Sequence, residues 1–272
     1  MTSRETADRA AAIIQSRTLV RPEIGVILAT GFAPCADVVE DAVTVPFADL
    51  PGFRPSRIPS HVNEVAVGTV EGRGVAVMKA KILPCDGATW EESGISARTL
   101  ARLGCRVLLY IANSGSMRAD LLPGSFMALT DHVNFSGINP LAQEREGGGW
   151  RTPFLSMSDL YDAALTDAVR EAVGAAGLSL PTGVAGYWMG PSFETPAEIR
   201  LAQLAGCSVS SNSFLPEVMA AHHAGMRVVA LTFISTMSAG IESPLVLSRI
   251  LEVTRDADDA CRTVLRAAIS VS

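Results

Sequence analysis

Lysine is nearly missing from this chain: of 22 basic residues only Lys79 and Lys81 are lysines. Basic charge is also outweighed, since 28 acidic residues bring the formal net charge to −6. That balance leaves no electrostatic footprint for nucleic acid or an acidic membrane surface. Cysteine is sparse and scattered, at positions 35, 85, 105, 207 and 261 with no CxxC spacing, which argues against a disulfide framework or a thiolate zinc site. Four histidines are few for a His-rich metal centre, so no metal is expected. No apolar run reaches membrane length, and the opening MTSRETADRAAAIIQSR is polar and amphipathic rather than signal-like. The expectation is a reduced, soluble, cytoplasmic protein. Repeats, low-complexity tracts and linkers are missing too, so one domain is expected over residues 1–272.

What is present is a large apolar fraction. Hydrophobic residues make up 48% of the 272 and charged ones 18%, enough for a substantial core. Helical spacing marks 4–17, 91–103, most of 157–176, 195–205, 216–223 and 244–269. Short apolar runs mark strands at 24–28, 105–113, 125–134, 182–190 and 226–235, and 62–83 divides into two strands at Glu71-Gly72. Strands alternating with helices, with one early hairpin, predict an α/β fold: a single domain with a mixed, mostly parallel central sheet flanked by helices. The two lysines fall in VMKAKIL, where strand alternation would point both the same way. The Gly-rich stretch EREGGGW (144–150) is the expected mobile loop.

In sheets of this kind ligands collect where strand ends feed loops and helix starts. The exits here are rich in glycine and hydroxyls: Ala29-Thr30-Gly31, Asn113-Ser114-Gly115-Ser116, Gly190 to Glu194, Ser211-Asn212-Ser213 and Ser235-Thr236. They suit an anion or a polar ligand, although turns use the same residues for local reasons. The longest is GYWMGPSFETPAEIR (186–200). Thr195, Pro196 and Glu198 supply helix-starting grammar, a capping box with proline in the first turn. Phe193 and Glu194, just ahead of it, are not needed for that.

Gly190-Pro191-Ser192-Phe193-Glu194-Thr195-Pro196 is joined by Leu215-Pro216-Glu217-Val218, by Thr130-Asp131-His132-Val133-Asn134, by Asn139-Pro140-Leu141 and by Pro59-Ser60-His61. With these blocks in order, the chain resembles the trimeric class of purine nucleoside phosphorylases over nearly its whole length. The resemblance also extends to the related methylthioadenosine phosphorylases. It implies a homotrimer with each site near a subunit boundary, and phosphorolysis of a purine nucleoside, or one modified at the 5′ position, to free base and ribose 1-phosphate. Inorganic phosphate is then the co-substrate and no cofactor is needed. The partners implied are small molecules, nucleoside and phosphate.

Carried over by position, the resemblance implies His61, Glu194 and Thr236 as the catalytic set. It implies Thr30, His61, Lys81, Ser114 and Ser213 around phosphate. Base and ribose would fall to Phe193, Glu194, Asn212, Thr236, Cys85 and Leu247, with Trp150 near the aromatic lent to a neighbouring subunit. Competing local roles stand beside several of these: helix-dipole complementarity for Glu194, N-cap duty for Ser213 and local packing for Trp150. The chain also departs from the family pattern. Its phosphate loop is Ala29-Thr30-Gly31, Lys81 replaces an arginine and loses the bidentate fork, Leu83 replaces a histidine, and Thr236 replaces an asparagine. These changes keep two other functions open, a phosphate-independent nucleosidase and a non-catalytic or repurposed binder of a nucleoside-like molecule.

Overall fold

Uninterrupted apolar runs make sense when both faces of a sheet are covered, and the longest central strand shows how. A computed structural model describes residues 3–28, 30–58, 61–143, 154–241 and 246–272. Its strands are β1 Ile24–Ile27, β2 Glu40–Pro46, β3 Glu64–Val70, β4 Arg73–Met78, β5 Val107–Ser116, β6 Phe126–Asn134, β7 Thr182–Tyr187, β8 Val209–Ser211 and β9 Arg227–Met237. Its helices are α1 Ser3–Arg17, α2 Trp90–Ser93, α3 Ile95–Leu103, α4 Ala163–Ala175, α5 Pro196–Leu204, α6 Leu215–His223, α7 Leu247–Asp256 and α8 Asp258–Val271. Leu108, Tyr110 and Ala112 of β5 join the core built with α1, α3 and α6. Val107, Leu109 and Ile111 join the core built with α4 and α8. Alternation along one strand thus feeds two helical layers.

The strands form one sheet in the order β2-β3-β4-β1-β5-β8-β7-β6-β9, and β9 also pairs with β5. The expected mixed, mostly parallel α/β architecture is observed: β1 runs parallel to β4 and β5, β9 parallel to β5, and β7 parallel to β6 and β8. The hairpin at Glu71-Gly72 is present, with both residues at positive φ, as a two-residue turn between twisted strands needs.

Several expectations are corrected. The helix expected over 91–103 is two, because Gly94 separates α2 from α3. The terminal helix breaks at Ala257 into α7 and α8. The helix expected from 157 starts only at Ala163, where the Asp162 carboxylate accepts from Leu165 N. Strands β2 and β8 carried no sequence expectation at all. The two lysines do not share a strand, since β4 ends at Met78. Lys79 pairs with Glu64 at 2.7 Å, whereas Lys81 is buried in the core at 1% exposure. The stretch 144–150 lies outside the described residues.

Candidate active site

The site forms where β1, β4, β5, β7, β8 and β9 run out, and hydrogen bonds between their exits join it. Immediately after β1, Thr30 Oγ1 lies 2.8 Å from His61 Nε2, and the Thr30 carbonyl accepts from Asn113 Nδ2 at 2.8 Å. The Asn113 carbonyl in turn accepts from Ser211 Oγ at 2.8 Å. Gly31 holds φ +95 there, and a Cβ on it would stand 2.8 Å from Thr254 Cγ2 of α7. Glycine is therefore required at that turn.

Lys81 reaches the same region from below. Its Nζ donates to Ser213 O at 3.3 Å and to Ser213 Oγ at 3.2 Å, and sits 4.9 Å from the centre of the Tyr110 ring. Tyr110 Oη also donates to the Ser213 carbonyl. Ser213 does not cap α6, whose N-cap residue is Phe214 with no side-chain cap bond; its hydroxyl accepts from lysine instead. Burial first, then the Lys81 charge, lower the His61 pKa to about 4, with Asp86 opposing both. The imidazole is thus neutral, and its buried Nδ1 has no hydrogen-bond partner among the described residues. Thr30, His61, Lys81 and Ser213 make up one end of the site. Ser114 stands apart from this group in its hydrogen bonding: its Oγ is 2.6 Å from Thr232 Oγ1 on β9.

The other end is organised by Gly115. It pairs with Ser210 on β8 and, past a bulge that leaves Ser235 over, with Thr236 on β9. Bulges of this kind redirect side chains beside functional sites. A Cβ at 115 would lie 2.9 Å from Ser238 Oγ and 3.2 Å from Ser210 Oγ, so a side chain there would crowd the two hydroxyls, themselves 3.1 Å apart. Thr236 Oγ1 donates to Met237 O at 3.1 Å. Glu194 is half-buried, and burial raises its pKa, while the Ser210 hydroxyl lowers it and Glu198 raises it. Capping α5 falls to Thr195 and Glu198, which form the full capping box. Glu194 takes no part in it.

Between the two ends, Gly190 turns at φ +70, and a Cβ there would meet Asn212 Nδ2 at 2.9 Å and Cys85 Cβ at 3.4 Å. Asn212 and Cys85 are thereby brought against the turn that carries Phe193, a residue 46% exposed. Trp150 and the side chain of Leu247 lie outside the described residues. Asn113, Ser210, Ser211 and Ser238 belong to the same network and were not picked as site residues from sequence. Their signal was the run of hydroxyls and asparagine at the strand exits. Chemically, one end offers a cation, a neutral imidazole and hydroxyls to an anion. The other offers a carboxylate and hydroxyls beside an open aromatic face, which suits a flat polar ring.

Residues 23–270 match the family model of the phosphorylase superfamily. Purine nucleoside phosphorylase 1 of Bacillus subtilis is 34% identical over 253 residues, covering 92% of this chain and 93% of the relative. That of Geobacillus stearothermophilus is 32% identical, covering 93% and 92%. Among solved structures, isoform 2 of the Schistosoma mansoni purine nucleoside phosphorylase, in complex with cytosine and ribose-1-phosphate, superposes with a TM-score of 0.92. It is 26% identical and the match covers 99% of this chain and 98% of that one. The Schistosoma mansoni enzyme in complex with inosine superposes with a TM-score of 0.91 at 27% identity, covering 99% and 97%.

Proposed function

Because the chain belongs to the phosphorylase superfamily, as a relative of its purine nucleoside phosphorylases, we propose that it cleaves a purine nucleoside with inorganic phosphate. A phosphate oxygen bonds to C1′ as the C1′–N9 bond breaks. The bonding pair leaves with the base, which takes a proton, and ribose 1-phosphate is the second product. The observation that carries this reading is the meeting of Thr30, His61, Lys81 and Ser213 in one hydrogen-bonded and electrostatic group.

The bond breaks through a sugar with oxocarbenium character, so an anion held close by lowers the barrier. Lys81 supplies the charge that holds the dianion, Thr30 and Ser213 supply hydroxyls, and His61 a neutral ring nitrogen. Glu194 grips the purine edge, Phe193 packs on its face and Thr236 faces the leaving base. Asn212 and Cys85 border the ribose. We assign the chain to a homotrimer, three copies of 28.6 kDa completing one another's sites.

The test is release of free base from a panel of purine nucleosides, with and without a 5′ substituent, at saturating and at zero phosphate. Release that requires phosphate is expected. Release indifferent to phosphate would replace this reading with hydrolysis, and no release from any nucleoside would replace it with binding alone. Glu194→Ala is expected to lower kcat/KM for the nucleoside by about 10- to 100-fold, the scale of one lost charged hydrogen bond.

A further inference from the structure

The anion end consists of two halves, and a strand runs between them. Thr30 follows β1 and meets His61 at 2.8 Å. Ser213 follows β8, and its hydroxyl accepts from Lys81 at 3.2 Å. None of these four residues lies within a helix or strand. In the sheet, β5 is the strand between β1 and β8, and its Asn113 is held in register beside Phe233 of β9. The ladder from β1 to β5 ends with Ile27 beside Tyr110, and Thr30 and Asn113 each lie three residues further along. There a side chain takes over from the ladder: Asn113 Nδ2 donates to the Thr30 carbonyl at 2.8 Å. Towards the other half, the Asn113 carbonyl accepts from Ser211 Oγ at 2.8 Å. Ser211 ends β8 two residues before Ser213.

The orientation of the amide follows from its chemistry, because only its NH2 group can donate to a carbonyl. Oδ1 is buried and has no hydrogen-bond partner among the described residues. Burying an unpaired acceptor costs stability, and Ile111 and Ala112 beside it show that apolar side chains fit along this strand. What an asparagine adds at 113 is the bond to Thr30. Resting on the functional reading above, we propose that Asn113 is a positioning residue for phosphate: it clips the Thr30–His61 half to the Ser213–Lys81 half and fixes the gap that holds the anion. Its backbone is set by the sheet, so its two hydrogen bonds carry that rigidity into the loops. A shift of Thr30 by about 1 Å would stretch a hydrogen bond to the anion past its useful length. Phe193 and Glu194 stand between β7 and α5, where neither Asn113 bond leads.

The test is a double-mutant cycle read on the KM for inorganic phosphate: Asn113→Ala, Thr30→Val and the two combined, with the purine nucleoside that the wild type cleaves best. Asn113→Ala cuts only the Thr30 arm, since the carbonyl that receives Ser211 is backbone. It should raise the phosphate KM about 5- to 10-fold, the scale of one neutral hydrogen bond whose acceptor is left unpaired. The nucleoside KM should stay within about twofold of wild type. Thr30→Val should raise the phosphate KM by itself. Adding Asn113→Ala to it should then change the value by less than about twofold, because no hydroxyl remains to be placed. Ser211→Ala cuts the other arm, and its increase in phosphate KM should persist in the Thr30→Val background. Asn113→Ser, whose hydroxyl is too short to reach the Thr30 carbonyl, should behave as Asn113→Ala does. Effects of Asn113→Ala and Thr30→Val that multiply would overturn the proposal, and so would equal rises in the phosphate and nucleoside KM. A wild-type phosphate KM in Ser211→Ala would overturn it as well. Loss of the fold in both Asn113 variants would do the same, by making Asn113 a structural residue only. Wild-type base release that ignores phosphate would instead overturn the phosphorolytic reading itself, and no variant is needed to see it.

Discussion

His61 sets the chemistry of the anion end by what it does not carry. Its Nε2 is committed to Thr30 Oγ1, and burial first, then the Lys81 charge, lower its pKa to about 4. At neutral pH it is a neutral hydrogen-bonding ring, and the positive charge in its group comes from Lys81. A histidine NMR titration should therefore show one imidazole still neutral at about pH 5, lost from the spectrum of His61→Asn; an ordinary midpoint near 6.5 for that ring would contradict the assignment. Thr30, His61, Lys81 and Ser213 were legible in the sequence through their family positions. The state of each was not. That Lys81 is buried, that His61 is neutral and that the Glu217 carboxyl has no hydrogen-bond partner among the described residues depend on how five separate segments pack, and no local pattern encodes that.

Among the elements, α5 shows local grammar that sequence states outright. Thr195 accepts from Glu198 N at 3.3 Å and Glu198 Oε2 accepts from Thr195 N at 2.6 Å. Thr195→Ala removes one half of this box and should cost about 1 kcal/mol, or roughly 2–4 °C in Tm for a domain of this size. Because Phe193 and Glu194 immediately precede the cap, the nucleoside KM should rise as well. A lower Tm with an unchanged nucleoside KM would separate the cap from the base site. Elements without such grammar were missed. Only Val45 is buried in β2, so alternation gives no signal, and β8 is three residues long, too short for any period to register. Both owe their conformation to neighbours, β2 to β3 and β8 to β5 and β7. Lys79 and Lys81 were misread for a related reason: the alternation was extended past Met78, where the ladder had already ended.

At the scale of the molecule, the site draws on strands from both ends of the chain, so its electrostatics register in global stability. His61 follows the second strand and precedes the third; Thr30, just past the first, holds it, and Asn113 of the fifth holds the Thr30 carbonyl. Its folded pKa is depressed from 6.5 to about 4. Unfolded chains therefore bind more protons than folded ones between those values. The stability that a neutral His61 permits is intact above about pH 6.5 and is lost as pH falls toward about 4. Between about pH 7 and about pH 5 the loss amounts to on the order of 2 kcal/mol. Glu217 acts in the opposite sense, since its folded pKa is raised to about 8 and acidification from there favours the fold. Wild-type stability alone would then hide both, and a comparison is needed. The denaturation free energy of His61→Asn minus that of the wild type should move by on the order of 2 kcal/mol in favour of the variant between about pH 7 and about pH 5. The constant cost of the lost Thr30 contact cancels from that shift. A difference that stays flat across the interval would mean that His61 protonates freely in the folded protein, and that the anion end carries a second titrating cation beside Lys81.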